Sequence, residues 1–228
     1  MNIFFKRLNK IIFAIPEWFI TYLPGPLGRL MRFFYWKFRM RYVGKRVTFG
    51  VGIQISNPEY ISIGDNTWID DYVVLLAGPP GQTSSKIFRK LNRYYKGEEG
   101  CLYVGVNCHI AQFVTLQAHG GISIGDNSGV ASGSRIYSLS HHYESLFGQR
   151  PENIRFKFTP RAPANEQALI AAPVVMQHST ALGLNSVMLP GSTIREGSWV
   201  GVMSIVLNEI PPNSIAFGAP AKFIKALR

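Results

Sequence analysis

The sequence predicts a mainly β chain wound as a parallel β-helix, and three observations predict it. Every sixth residue from Met176 onward is apolar and of medium size: Met176, Leu182, Met188, Ile194, Val200 and Val206. Four residues after each of the first five stands a small one: Thr180, Ser186, Ser192, Ser198 and Ser204. Earlier in the chain, Ile61-Ser-Ile-Gly-Asp-Asn66 recurs as Ile122-Ser-Ile-Gly-Asp-Asn127. A period of six fits neither the 3.6 of a helix nor the 2 of a flat strand. It fits short strands joined by sharp corners, each turning the chain by about a third of a circle, with one apolar residue per face pointing into a narrow prism. Thr or Ser stands where bulk would collide with the next coil.

Composition bounds the rest. The 228 residues suffice for one core with appendages. A hydrophobic share of 46% with 16% charged residues excludes a disordered chain. The net charge of +11 is concentrated: residues 1–46 hold ten Lys or Arg against Glu17 alone, so they carry +9 and the remaining residues +2. Two cysteines, Cys101 and Cys108, do not make a secreted disulfide scaffold, and Cys108 falls on an inward position as a buried thiol.

Residues 1–42 form the first unit. Ile3, Phe4, Phe5, Leu8, Ile11 and Ile12 surround Lys6, Arg7 and Lys10 in a helix-like amphipathic pattern. After Pro16, Pro24 and Pro26, a second basic and aromatic segment runs from Leu27 to Met40. Lys6, Arg7 and Lys10 interrupt the first apolar run, so no cleavable signal peptide is expected. The uncharged run Trp18–Gly28 is far too short to span a bilayer. Basic side chains among aromatic rings suit an anionic membrane surface. The same helices could instead cover the open end of the prism. A nucleic-acid surface is disfavoured, because nothing in the body extends the patch.

Residues 43–210 form the prism. Val43, Phe49 and Ile55 open the period, a step of eight leads to Ile63, and Ile69 and Leu75 follow. Residues 77–101 leave the repeat as a polar, basic excursion. The period resumes at Val104, Ile110 and Leu116, takes a second step of eight to Ile124, and continues through Val130 and Ile136. A second excursion covers 138–173. Excursions of this length inside a compact domain are more often functional than idle. Residues 211–228 close the chain as a C-terminal cap.

His141 and His142 stand where a regular strand ends and the second excursion begins, the usual place for a reactive group on a rigid scaffold. An imidazole there can take a proton near neutral pH. His109 is expected to point outward beside Cys108, His119 to lie in a corner, and His178 to be outward. Histidine spacings of 10, 22, 1 and 36 contain no His-x4-His pair of the kind that holds zinc in the carbonic anhydrases of this fold, so no metal is expected. Ser138 and Ser140 have no glycine elbow around them and are weak nucleophile candidates.

Several stretches together carry a resemblance: Ile61–Asp70 (ISIGDNTWID), Tyr137–His141 (YSLSH), Leu182–Glu196 (LGLNSVMLPGSTIRE), Val200–Val206 and Pro211–Lys222 (PPNSIAFGAPAK). With them the chain resembles the hexapeptide-repeat acyltransferases, whose fold is a left-handed parallel β-helix, and among them the sugar O-acetyltransferases of surface polysaccharides and nodulation factors. The resemblance implies acetyl-CoA as acyl donor, a sugar acceptor and a homotrimer. It implies that His141 is the general base, with His142 as an alternative and Glu144 as the nearest carboxylate to orient the ring. It places the CoA along the late coils, at Ser186, Gly201, Ser204, Ala219 and Lys222. Where relatives read Gly-Ala-Gly-Ser, this chain reads Gly201-Val-Met-Ser204. N-acetylation of an amino sugar or antibiotic, and a non-catalytic scaffold, remain as alternatives. A cytoplasmic location, peripheral on the inner face of the membrane, is expected from residues 1–46.

Overall fold

The computed structural model describes residues 16–81, 87–141, 159, 161, 163 and 167–227. The first amphipathic segment expected over residues 2–14 lies outside them.

Three sheets of seven, eight and six strands enclose the prism. The chain visits them in rotation. Tyr42–Val43 enters the first sheet, Thr48–Phe49 the second and Gln54–Ser56 the third; Ile61–Ile63 then returns to the first, where Ser62 pairs in parallel with Tyr42. The six-residue period is the cause. It brings Phe49, Ile63, Ile69, Leu75, Ile110, Leu116, Ile136, Met188, Ile194, Val200 and Val206 to the interior with no exposed surface. Each such side chain stabilises the coil by about 1.5–3 kcal/mol. The parallel winding extends beyond residue 210, to Ser214–Phe217, whose Ile215 pairs with Trp199. Lys222–Ala226 then folds back antiparallel to end the second sheet.

The corners hold by reaching from coil to coil. The Gly-Asp-Asn triplet has side chains able to bond their own turn. Instead the Asp65 carboxylate accepts from Lys45 N–H at 2.8 Å, and Asp126 accepts from Val106 N–H at 2.7 Å, each on the preceding coil. Stacked strands are about 4.8 Å apart, so the neighbouring corner is the nearest unpaired donor. Asn66, Asn107 and Asn127 take left-handed φ values of 55–56°, which asparagine tolerates better than most residues. Their amides form a ladder, with Asn66 donating to Asn107 at 2.8 Å and Asn107 to Asn127 at 3.0 Å.

The small inward residues contribute more than lack of bulk. Ser134 Oγ accepts from Ser186 N–H, Ser186 Oγ from Ser204 N–H, and Ser204 Oγ from Gly218 N–H, at 3.0–3.2 Å. Ser134 and Ser186 also donate to the carbonyls of Gly183 and Gly201 at 2.8 and 2.9 Å. Buried backbone groups at one corner are thus satisfied by the hydroxyl of the coil before.

Every departure from the period falls on one edge of the prism, between the third sheet and the first. The long steps from Ile55 to Ile63, Leu75 to Val104, Leu116 to Ile124 and Ile136 to Met176 all cross that edge. Both excursions emerge there and meet in a separate three-stranded sheet. Leu139–His141 runs antiparallel to Leu169–Ala171, which pairs in parallel with Ile87–Arg89. The polar, basic excursion over residues 77–101 therefore supplies a strand.

The helix Gly25–Arg39 covers the opposite end of the prism from the C-terminal strands. Gly28, Arg32 and Trp36 face the first coil. The Arg32 guanidinium donates to the carbonyls of Phe49, Ile20 and Leu23 at 2.9, 3.1 and 2.6 Å, satisfying oxygens that the first coil and the preceding helical turn (residues 16–22) leave open. Capping is therefore one role of this segment. No helix of the described residues is long and apolar enough to cross a membrane.

Candidate active site

His141 is the last residue of its strand, and its neighbours are fixed by pairing. It lies opposite Leu169 in the antiparallel pair, and Leu169 in turn lies beside Ile87. Ser138 anchors the exit from the coil. Its buried hydroxyl donates to Gln117 O at 2.7 Å and accepts from Gly120 N–H at 2.9 Å, while Ala172 N–H closes the base of the excursion on Ser138 O at 2.9 Å. Ser138 is thus a structural residue. His141, Gln117, Tyr137, Leu139, Ser140, Gln167 and Leu169 line an open groove of about 400 Å³. His141 is half-buried, with Nδ1 turned away from solvent, and Gln117 Oε1 is buried in the same wall. His142 and Glu144 lie outside the described residues.

The wall continues along the third sheet. Gln117 and Tyr137 are register partners, and the next strands of the same sheet are Val187–Met188 and Ile205–Val206. The turn after the last coil is tied to this sheet: Ile205 N–H donates to Gly218 O at 2.9 Å, and Ala221 N–H to Ile205 O at 2.7 Å. Ala219 and Lys222 are therefore exposed at the far end of the face that begins at His141. Ser186 and Ser204 have no exposed surface, and both hydroxyls are taken by the coil-to-coil bonds. Any part they play toward a ligand is through the position of the strand, not through the side chain. Gly201 is glycine because the Phe217 ring packs where a Cβ would stand. Met203 is exposed and holds a left-handed φ of 54°, a conformation uncommon for a residue other than glycine. Lys222, the apolar Met203 and Leu207, and the turn Gly218–Ala219 are all exposed at this end of the prism.

The first excursion is clamped over the adjoining edge. Asn92 Nδ2 donates to Thr193 Oγ1 at 2.9 Å and Pro173 O at 3.1 Å. Tyr94 OH and the guanidinium of Arg93 reach the Glu209 carboxylate at 3.0 and 2.9 Å, and Arg195 joins at 3.2 Å. Burial alone would raise the Glu209 carboxyl, but the hydrogen bonds from Tyr94, Arg195 and Arg93 outweigh it and hold it below the usual range. The remaining histidines stand apart from the groove. His109 is exposed and pairs with Asp70 at 2.8 Å, His119 Nδ1 meets Gly78 O at 2.8 Å, and His178 is exposed. Cys108 is buried, which raises its thiol pKa. Among the described residues no three His, Cys, Asp or Glu side chains converge as a metal site.

Gln117, Gln167 and Leu169 were not singled out from the sequence. Gln117 could have been found, because it follows inward Leu116 as Tyr137 follows inward Ile136. Gln167 and Leu169 carry no such signal.

No protein-family model matches the chain. Among individual proteins, it is 29% identical over 126 residues to a putative lipopolysaccharide biosynthesis O-acetyltransferase, WbbJ, of Escherichia coli K12, spanning 55% of this chain and 61% of that one. It is 24% identical over 180 residues to a dTDP-4-amino-4,6-dideoxy-D-glucose acyltransferase of Escherichia coli, 79% of each chain. A mutant of AntD, an N-acyltransferase from Bacillus cereus solved with dTDP and coenzyme A, superposes with a TM-score of 0.66 at 25% identity, over 84% of this chain and 87% of that one. A Vibrio cholerae hexapeptide-repeat acetyltransferase, VCA0836, solved with acetyl-coenzyme A, shares the fold alone, with a TM-score of 0.55 at 19% identity over 92% of this chain and 82% of that one. By sequence and by fold the chain is a relative of the hexapeptide-repeat acyltransferases. One of these relatives is named for lipopolysaccharide biosynthesis and another for acylation of a dTDP-linked amino sugar, and the two solved neighbours hold CoA or acetyl-CoA.

Proposed function

We propose that the protein transfers an acetyl group from acetyl-CoA to a hydroxyl of a sugar in a surface-glycan precursor. The observation that carries the reading is the position of His141, held by strand pairing in the wall of a groove on the same sheet face that ends beside Ala219 and Lys222. His141 takes the proton from the acceptor hydroxyl as that oxygen attacks the thioester carbonyl. The carbon–sulfur bond then breaks, and the proton returns from the imidazolium to the CoA sulfur. The protein's share of the rate is positioning and base catalysis. Lys222 would meet the nucleotide phosphates, and the exposed surface of the last coils would hold the pantetheine arm. The working unit would be a trimer with parallel prisms about a three-fold axis, so that a neighbouring subunit closes the groove. The enzyme would work at the inner face of the cytoplasmic membrane, which the charge of residues 1–46 supports.

A second reading is acylation of an amine on a nucleotide-linked amino sugar. The AntD likeness over 84% of the chain favours it. One experiment separates the two and tests both. The protein is incubated with acetyl-CoA, thiol release is followed, and hydroxyl and dTDP-amino sugar acceptors are compared by mass spectrometry. Ester products support the first reading, and amide products support the second. No thiol release with any acceptor, together with no CoA binding by calorimetry, would leave the chain a scaffold.

A further inference from the structure

The cap of the prism has two faces, and only the inner one is explained by packing. On the outer face of the helix Gly25–Arg39, Leu27, Leu30, Phe34 and Phe38 lie at helical spacing and are 63%, 53%, 48% and 84% exposed. Such a row of large apolar side chains open to water marks an interaction surface. Its surroundings are basic. Between this helix and the first coil lies a groove of about 340 Å³, with Leu30, Phe33 and Val47 in its apolar floor and Arg29 and Arg46 beside them. Five other described arginines find acids: Arg39 meets Glu17, Arg41 Glu98, Arg89 Glu99, and Arg93 and Arg195 Glu209. Arg32 is taken by carbonyls, and Arg135 and Arg161 meet no acid among the described residues but lie outside this cavity. Arg29 and Arg46 meet no carboxylate among the described residues, although both are exposed and flank one cavity.

We infer that this groove and the adjoining apolar row are a docking site for anionic phospholipid. A headgroup phosphate would sit between the Arg29 and Arg46 guanidinium groups. Leu27, Leu30, Phe34 and Phe38 would enter the acyl boundary beside it. A free phosphate would satisfy the two arginines and leave the apolar row in water, and a protein partner would not by itself need two unpaired cations at one groove. The geometry suits a flat surface, because the helix lies across the end of the prism and not along its side. In a parallel trimer the three caps share one end, so three weak contacts act together. The site does not depend on which acceptor the enzyme uses.

The test is flotation of the full chain with vesicles of phosphatidylcholine alone and of phosphatidylcholine with phosphatidylglycerol. The wild type should float with the anionic vesicles, and less at high salt. The double variant Arg29→Glu, Arg46→Glu should lower its partition by roughly thirty-fold or more, at the usual strength of two basic contacts. Phe34→Ser with Phe38→Ser should lower it as well, and inorganic phosphate at millimolar concentration should not compete. Thermal melting and CoA binding of the same samples should match wild type, which separates loss of docking from loss of fold or of the catalytic reading. Equal flotation with both lipids, unchanged partition of the arginine variant, or competition by free phosphate would overturn the inference. So would a change of oligomeric state in the phenylalanine variant without a change in partition.

Discussion

The uninterrupted coils from Val174 to Phe217 and the edge that carries the two excursions follow opposite rules. In the coils, inward residues, corners and hydrogen bonds are set by neighbours a turn away. Ser186 bonds Ser204, Ile194 fills the prism, and Ala181 stacks on Trp199 because the repeat brings them there. At the edge, the partners come from far along the chain. His141 pairs with Leu169 and Leu169 with Ile87, and Asn92 is tied to Thr193. The difference teaches that the scaffold is locally specified and redundant, whereas the sheet beside the groove exists only after two separate insertions have met. Substitutions in the first region should therefore cost stability, and in the second activity.

The largest effect should come from the edge. His141→Ala is expected to lower kcat by about 10²–10⁴ while melting and CoA binding stay at wild-type values, measured by steady-state kinetics beside calorimetry. Unchanged kcat would remove the base from His141; a loss of folding would erase the contrast between the regions.

In the coils, Ile194→Ala removes a fully buried side chain from the prism interior. It should cost about 2–5 kcal/mol in denaturant unfolding, with kcat of the folded fraction preserved. Ser186→Ala should cost less, about 1–3 kcal/mol, because it leaves Ser204 N–H and Gly201 O without their buried partner. A neutral result would mean that the hydroxyl ladder is incidental to the winding.

The smallest effect belongs to the clamp between the two regions. Glu209 has a lowered pKa, so its contribution is present above the ordinary carboxyl range, about pH 4.3, and is lost as the pH falls through its lower native value. Glu209→Gln should lower stability by no more than about 1 kcal/mol at neutral pH, since the carboxylate is partly exposed. Wild type and variant should converge in acid. A stability gap that persists at low pH would show that the charge is not what holds the first excursion down.

The sequence by itself determined the winding. Its period of six places apolar side chains on three inner faces, and sterics inside a prism of that width leave little choice. It also marked His141, through the place where the period stops. Tertiary structure alone decided what the excursions become. Nothing in residues 87–89 or 169–171 announces a shared sheet, because strand pairing between insertions depends on both leaving the same edge of the prism. It also decided the two faces of the N-terminal cap. Composition showed basic and aromatic residues mixed along the helix, and only the docking of Arg32 and Trp36 on the first coil separated a buried side from the exposed row of Leu27, Leu30, Phe34 and Phe38. Local periodicity is written in every six residues, whereas a contact between distant segments is fixed by the shape that all of those residues build together.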